Sequence, residues 1–169
     1  MTMNNLYKVL VCVFFTSIAL PSTAADDPLW TMKALKPEVA LEVAQATMEA
    51  CREKNYQVTV AIVDRSGIVQ VILRDQLAGP HTVDTARRKA WTAASFNGDT
   101  RSIAKATKPG SGHSGIRFVT DVLMIAGGVP LYAEGTIVGA VGVSGAPLAD
   151  EDHQCAEKGA EALEEKMLF

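Results

Sequence analysis

His81 is the side chain with the most chemical promise in this chain. It stands in Gly79-Pro80-His81-Thr82, where a helix-patterned segment begins, and Arg87, Arg88 and Lys89 follow one to two turns later. Thr82 can cap that helix, and the free N–H groups of a helix start favour anions. An imidazole with cations nearby suits a haem propionate or a small carboxylate, with His81 as metal ligand or acid/base. The competing reading is a structural histidine bonded to a backbone carbonyl, with the basic run as a solvated face.

The other candidates carry weaker chemistry. His113 lies in Ser-Gly-His-Ser-Gly, read as an exposed, mobile loop; no Gly-Lys-Ser or Gly-Lys-Thr makes it a phosphate loop. His153 follows Asp150, Glu151 and Asp152 at the start of the last helix pattern. There the acids complement the helix dipole and His153 is expected on the surface, with no metal. Asp64 is expected to shape a turn, and Asp84 to favour a helix start. Ser144 reads as a turn former. No Ser-His-Asp order or nucleophile elbow is visible, so no catalytic set is assigned. Cys51 and Cys155 fit no metal spacing. Both lie in helical patterns, and the reading favours unpaired small core residues over a disulfide, since pairing depends on a Cα separation that sequence does not hold.

The elements that position these residues follow from periodicity. Pro37 to Asn55 has helical spacing with proline in its first turn. Tyr56 to Val63 and Ile68 to Arg74 are β-branched runs joined by Asp64-Arg65-Ser66-Gly67, a hairpin. Thr82 to Asn97 is an Ala-rich helix stopped at Asn97-Gly98. A short helix is expected over Ser102 to Thr107 and a loop over 108–115. Val129 to Tyr132 and Thr136 to Val143 form a second hairpin, and Leu148 to Met167 a final helix. Hairpins alternating with helices predict an α+β fold, an antiparallel sheet with helices packed on it.

Ahead of this domain, Lys8 precedes twelve mostly apolar residues, Val9 to Leu20, and then Pro-Ser-Thr-Ala-Ala. That is the pattern of a signal peptide over residues 1–25, with a single domain over 26–169 and a periplasmic or secreted location. Twelve apolar residues are too few to span a membrane, which takes about 20. Composition sets outer bounds. The chain has 169 residues, 48% hydrophobic and 21% charged, with net charge −3. Loss of Lys8 with the leader takes that to −4. This balance excludes nucleic acid as a partner, because phosphate neutralisation needs clustered cations in excess.

Three stretches carry a family resemblance. "VTVAIVDRSGIVQVILRD" has a strand–Asp–x–x–Gly–strand form. "AGPHTVDTARRKAWTAASF" contains a Lys-Ala-x-Thr-Ala core at Lys89, Ala90, Thr92 and Ala93. "GGVPLYAEGTIVGAVGVSGAPLADEDHQCAEKG" places Gly128, Pro130, Gly135, Gly139, Val141, Gly142, Ser144, Gly145, Asp152, Cys155, Ala156 and Gly159. Together, in order over residues 35 to 165, they resemble the GlcG/HbpS family of haem-binding-protein-like domains. The resemblance implies a profilin-like fold with an antiparallel sheet of about five strands, and homo-oligomers, octamers in some members. It implies non-covalent haem as the cofactor of some members, and a membrane sensor kinase as the partner of one exported member. His81, Thr82, Arg87, Arg88 and Lys89, singled out above at the helix start, are read as the cofactor-binding set. The function the resemblance implies is an exported small-ligand-binding protein for haem or a related tetrapyrrole, in sequestration or sensing. An enzyme or accessory protein of small organic acid catabolism is the alternative.

Overall fold

The computed structural model describes residues 28–168. The leader read at 1–25 lies outside the described residues. Helix α1 spans Pro37–Arg52, with Pro37 pre-set for the first turn. Strands β1 (Thr59–Asp64) and β2 (Val69–Arg74) make the first hairpin. The Asp64 carboxylate accepts from Ser66 N at 2.8 Å and Ile68 N at 2.9 Å, so it closes the turn as expected. Helices α2 (Thr82–Phe96) and α3 (Thr100–Ala106) follow, and α2 ends where Asn97 turns left-handed at φ 50°. A 3-10 helix, Ser114–Phe118, occupies the end of the stretch read as loop. Arg117 ties it back by donating to the carbonyls of Thr107 and Ala104. Strands β3 (Gly128–Ala133) and β4 (Thr136–Ser144) form the second hairpin, and α4 (Ala149–Met167) completes the chain.

The sheet is antiparallel throughout, in the order β2-β1-β4-β3. It has four strands, not the five that the resemblance implied. The segment ahead of β3 is irregular, with Asp121 (φ 67°) and Gly127 (φ 120°) at positive φ. Its backbone is held by α2 side chains. Arg88 donates to the carbonyls of Asp121 and Val122, and Thr92 Oγ1 accepts from Leu123 N.

Each sheet face buries a different kind of core. Val60 and Ile62 of β1 and Val141 and Val143 of β4 pack with α1 and α4 in one large aliphatic cluster. The alternate residues Ala61, Val63 and Ala140 meet Ala86, Ala90, Ala93 and Ala94 of α2. That period-two split is the strand geometry expected of a sheet covered on both sides. The α2 face is thin because glycines admit the helix backbone. A Cβ on Gly142 would stand 2.1 Å from Ala86 O, and one on Gly128 would stand 2.3 Å from Lys89 O. From Met32 onward the chain is one compact unit.

Cys51 and Cys155 form a disulfide with Cα atoms 5.4 Å apart, which corrects the expectation that they stay unpaired. Their helices, α1 and α4, pack side by side on one sheet face, and that juxtaposition is tertiary. Among the described residues no helix is long and apolar enough to cross a membrane.

Candidate functional site

Four chain segments meet around the start of α2 and enclose a cleft of about 670 Å³. The β2–α2 loop supplies Leu77, Ala78 and Gly79. The first turn of α2 supplies His81, Thr82 and Thr85. The β4–α4 turn supplies Ser144 to Pro147, and the α1–β1 turn supplies Asn55 to Gln57. Ile125 adds an apolar wall, and Lys89 and Asp152 belong to the lining as well. The size lies within the range of small-molecule sites.

His81 is exposed at the rim. It occupies the N-cap position of α2 without a side-chain capping bond. Its ring lies against Gly79, where a Cβ would stand 2.7 Å from Cε1, so glycine makes room for the imidazole. Thr82, expected as the cap, is instead the first helical residue. Its buried hydroxyl donates to Gly79 O at 2.6 Å, so the Thr59 hydroxyl, 2.7 Å away, donates to it in turn. This pair pins the start of α2 to β1 and fixes the loop that carries His81.

The basic run divides by direction. Successive helical residues turn by about 100°, so three adjacent cations cannot share a face. Arg87 bonds Asp84 at 2.9 Å and Asp121 at 2.7 Å, and these bonds raise its pKa, Asp121 most. Arg88 holds the carbonyls of Asp121 and Val122. Neither arginine lines the cleft. Lys89 points the other way, into the protein, and is 1% exposed.

Lys89 Nζ lies 2.7 Å from Asp152 Oδ2 and 2.9 Å from Val143 O. Asp152 Oδ1 accepts from Ala146 N at 2.9 Å, so this one carboxylate fixes both the lysine and the turn that forms a cleft wall. Gly127 packs against the pair; a Cβ there would stand 2.8 Å from Nζ. Burial pushes the Lys89 ammonium below its ordinary range and the Asp152 carboxyl above its own, while each charge opposes the shift of the other. Asp152 therefore does more than complement the α4 dipole. Sequence reasoning missed this pairing, although Lys89 sits in the stripe Ala86, Ala90, Ala93 that faces the sheet.

His153, expected on the surface, is 1% exposed. Its Nε2 is 3.1 Å from Glu157 Oε1 and its Nδ1 is buried without a hydrogen-bond partner. His113 is exposed and lies away from the cleft lining. Asp84 faces Arg87, which donates to its carboxylate at 2.9 Å. Among the described residues no three His, Cys, Asp or Glu side chains gather as a metal site.

Residues 35–161 match the family model described as haem degrading protein HbpS-like. The chain belongs to the GlcG/HbpS family. This HbpS-like chain is 38% identical to a double mutant of HbpS from Streptomyces reticuli, whose crystal structure superposes with a TM-score of 0.76, covering 86% of this chain and 98% of that one. It is 26% identical to PduOC in a crystal structure of its haem complex, with a TM-score of 0.72 over 77% of this chain and 95% of that one. It is 31% identical over 112 residues to protein GlcG of Escherichia coli (strain K12), 65% of this chain and 81% of that protein. The HbpS-like fold thus accounts for the whole cleft-bearing unit of the chain.

Proposed function

We propose that this HbpS-like protein is an exported haem-binding protein that holds its ligand non-covalently in the cleft at the start of α2. The observation that carries the reading is His81: an exposed imidazole, cradled on Gly79, at the rim of a cleft walled by Leu77, Ile125 and Pro147. A flat apolar ring system fits those walls, and an imidazole is the side chain suited to its iron. When bound, haem supplies the iron centre; the chain supplies the ligand atom, the apolar walls and a fixed loop. Thr82 and Thr59 hold that loop. Arg87 and Arg88 hold residues 121–122, just ahead of Ile125, and so act on the wall rather than on the ligand. Lys89 is committed to Asp152, which leaves the acidic edges of the ligand to face solvent.

Several features support the remaining parts of the reading. The Cys51–Cys155 disulfide suits an oxidising compartment, as does the leader pattern. Exposed Ile68 and Phe118, which lie outside the cleft lining, are apolar surface available for self-association. The haem complex of PduOC supports the ligand class. Sequestration or sensing is the role such a site would serve. Haemin titration of the wild type and of His81→Ala tests the reading: a Soret shift that depends on His81 is expected.

A further inference from the structure

Two turns supply cleft wall that α2 does not, the α1–β1 turn at Asn55 to Gln57 and the β4–α4 turn at Ser144 to Pro147. Strand pairing sets them side by side, since Thr59 of β1 lies opposite Ser144 of β4. Gly145 lets them touch. Its φ of 136° suits glycine, and a Cβ there would stand 2.5 Å from Gln57 O.

Three links join this end of α1 to the start of α4. The Cys51–Cys155 disulfide is buried in the core. Lys54 Nζ donates to Gln154 Oε1 at 2.7 Å on the surface. Tyr56 Oη donates to Glu151 Oε1 at 2.7 Å. Of these residues only Tyr56 lines the cleft. Its ring packs against the aliphatic core, which fixes the phenol in place. The bond to Glu151, more than burial, raises the phenol pKa, so Tyr56 stays a donor at neutral pH.

Glu151 grips the other turn as well, because its Oε2 accepts from Leu148 N at 3.1 Å. The β4–α4 turn is thus held near its start by Asp152, through Ala146 N, and at its end by Glu151. Only the Glu151 anchor reaches across to the α1–β1 turn. We propose that Tyr56 and Glu151 are positioning residues of the cleft, whose hydrogen bond latches its two turns together and sets how fast a bound ligand leaves. The identity of that ligand rests on the haem reading above; the latch itself belongs to the free chain. A wall already fixed in its ligand-ready form removes an ordering cost from binding, and such gains appear chiefly in the off-rate.

Two measurements on the intact chain test the latch, one of them without ligand. In ligand-free Tyr56→Phe the amides of Ala146 and Leu148 should exchange hydrogen about tenfold faster than in the wild type. Amides of β1 and β4 should keep their protection, which separates local loosening from a general loss of stability. Haemin, captured by excess apomyoglobin, should leave Tyr56→Phe about fivefold faster. The Soret maximum should stay at its wild-type position, since His81 is untouched. In a Glu151→Ala background Tyr56→Phe should add nothing to either rate, the signature of one shared bond. Turn amides that keep the wild-type exchange rate, an unchanged haemin off-rate, or additive effects of the two substitutions each overturn the proposal. A wild-type chain that gives no Soret shift overturns the haem reading instead, and the exchange rates still decide on the latch.

Discussion

Lys89 Nζ and Asp152 Oδ2, 63 residues apart in the chain, meet at 2.7 Å and join α2 to α4 across the end of β4. The lysine side chain is 2% exposed and the aspartate 5%, so neither charge has water to fall back on. Breaking such a pair from one side costs far more than replacing both members.

Lys89→Met should therefore lower stability by about 3–5 kcal/mol, since Asp152 is left as an uncompensated buried carboxylate. The double variant Lys89→Met/Asp152→Asn should recover most of that loss, because the amide can still accept from Ala146 N. Urea unfolding of the three proteins checks this. A double variant no more stable than the single one contradicts it.

The disulfide closes a loop over a sequence separation of 104 residues. Chain-entropy reasoning assigns such a crosslink about 4–5 kcal/mol, by restricting the unfolded chain. Cys51→Ser, or reduction of the wild type, should lower the melting temperature. The pattern of hydrogen-exchange protection across the sheet should survive, since the aliphatic core between the sheet and α1 and α4 remains.

His153 gives the protein a pH dependence. Burial, reinforced by Arg101, holds its pKa below the ordinary 6.5. The unfolded imidazole thus binds a proton at a higher pH than the folded one. The stability that follows is present above 6.5 and is lost as pH falls through the depressed value. Melting temperatures should drop between about pH 7 and pH 5. His153→Gln should flatten that slope, and an unchanged slope would show that other groups set it.

Gly142 decides how closely α2 approaches the sheet. An added Cβ would stand 2.1 Å from Ala86 O and 2.6 Å from Ala90 N, both backbone atoms that cannot rotate away. Gly142→Ala should destabilise by about 3 kcal/mol, the upper end for overpacking, and should displace the start of α2 with it. Thermal melts and haemin affinity should therefore fall together in this variant.

The parts of the molecule readable from sequence are those set by local rules. Both hairpins, the helix ends at Pro37 and Asn97, and the turn built on Asp64 follow from periodicity and turn chemistry. Gly139, Gly142 and Gly145 each leave room for a backbone oxygen that a Cβ would approach to 2.1–2.5 Å. What stayed hidden depends on partners distant in the chain. The Cys51–Cys155 bridge needs α1 beside α4, and neither helix announces that. Asp150, Glu151 and Asp152 look alike as dipole partners, and only the tertiary fold singles out Asp152 for Lys89. Arg87, Arg88 and Lys89 read as one basic patch until the helical twist separates them. The stripe Ala86, Ala90, Ala93 could have exposed Lys89 as its inward member. The segment ahead of β3 holds two residues at positive φ, Asp121 and Gly127, and forms no strand.

The absorption spectrum of the purified chain during titration with haemin tests the account most directly. A saturable Soret shift at one haem per chain, abolished or displaced in His81→Ala while Arg87→Gln only weakens it, is the result expected. No shift in the wild type, or the same shift in His81→Ala, contradicts the assignment of this cleft to haem.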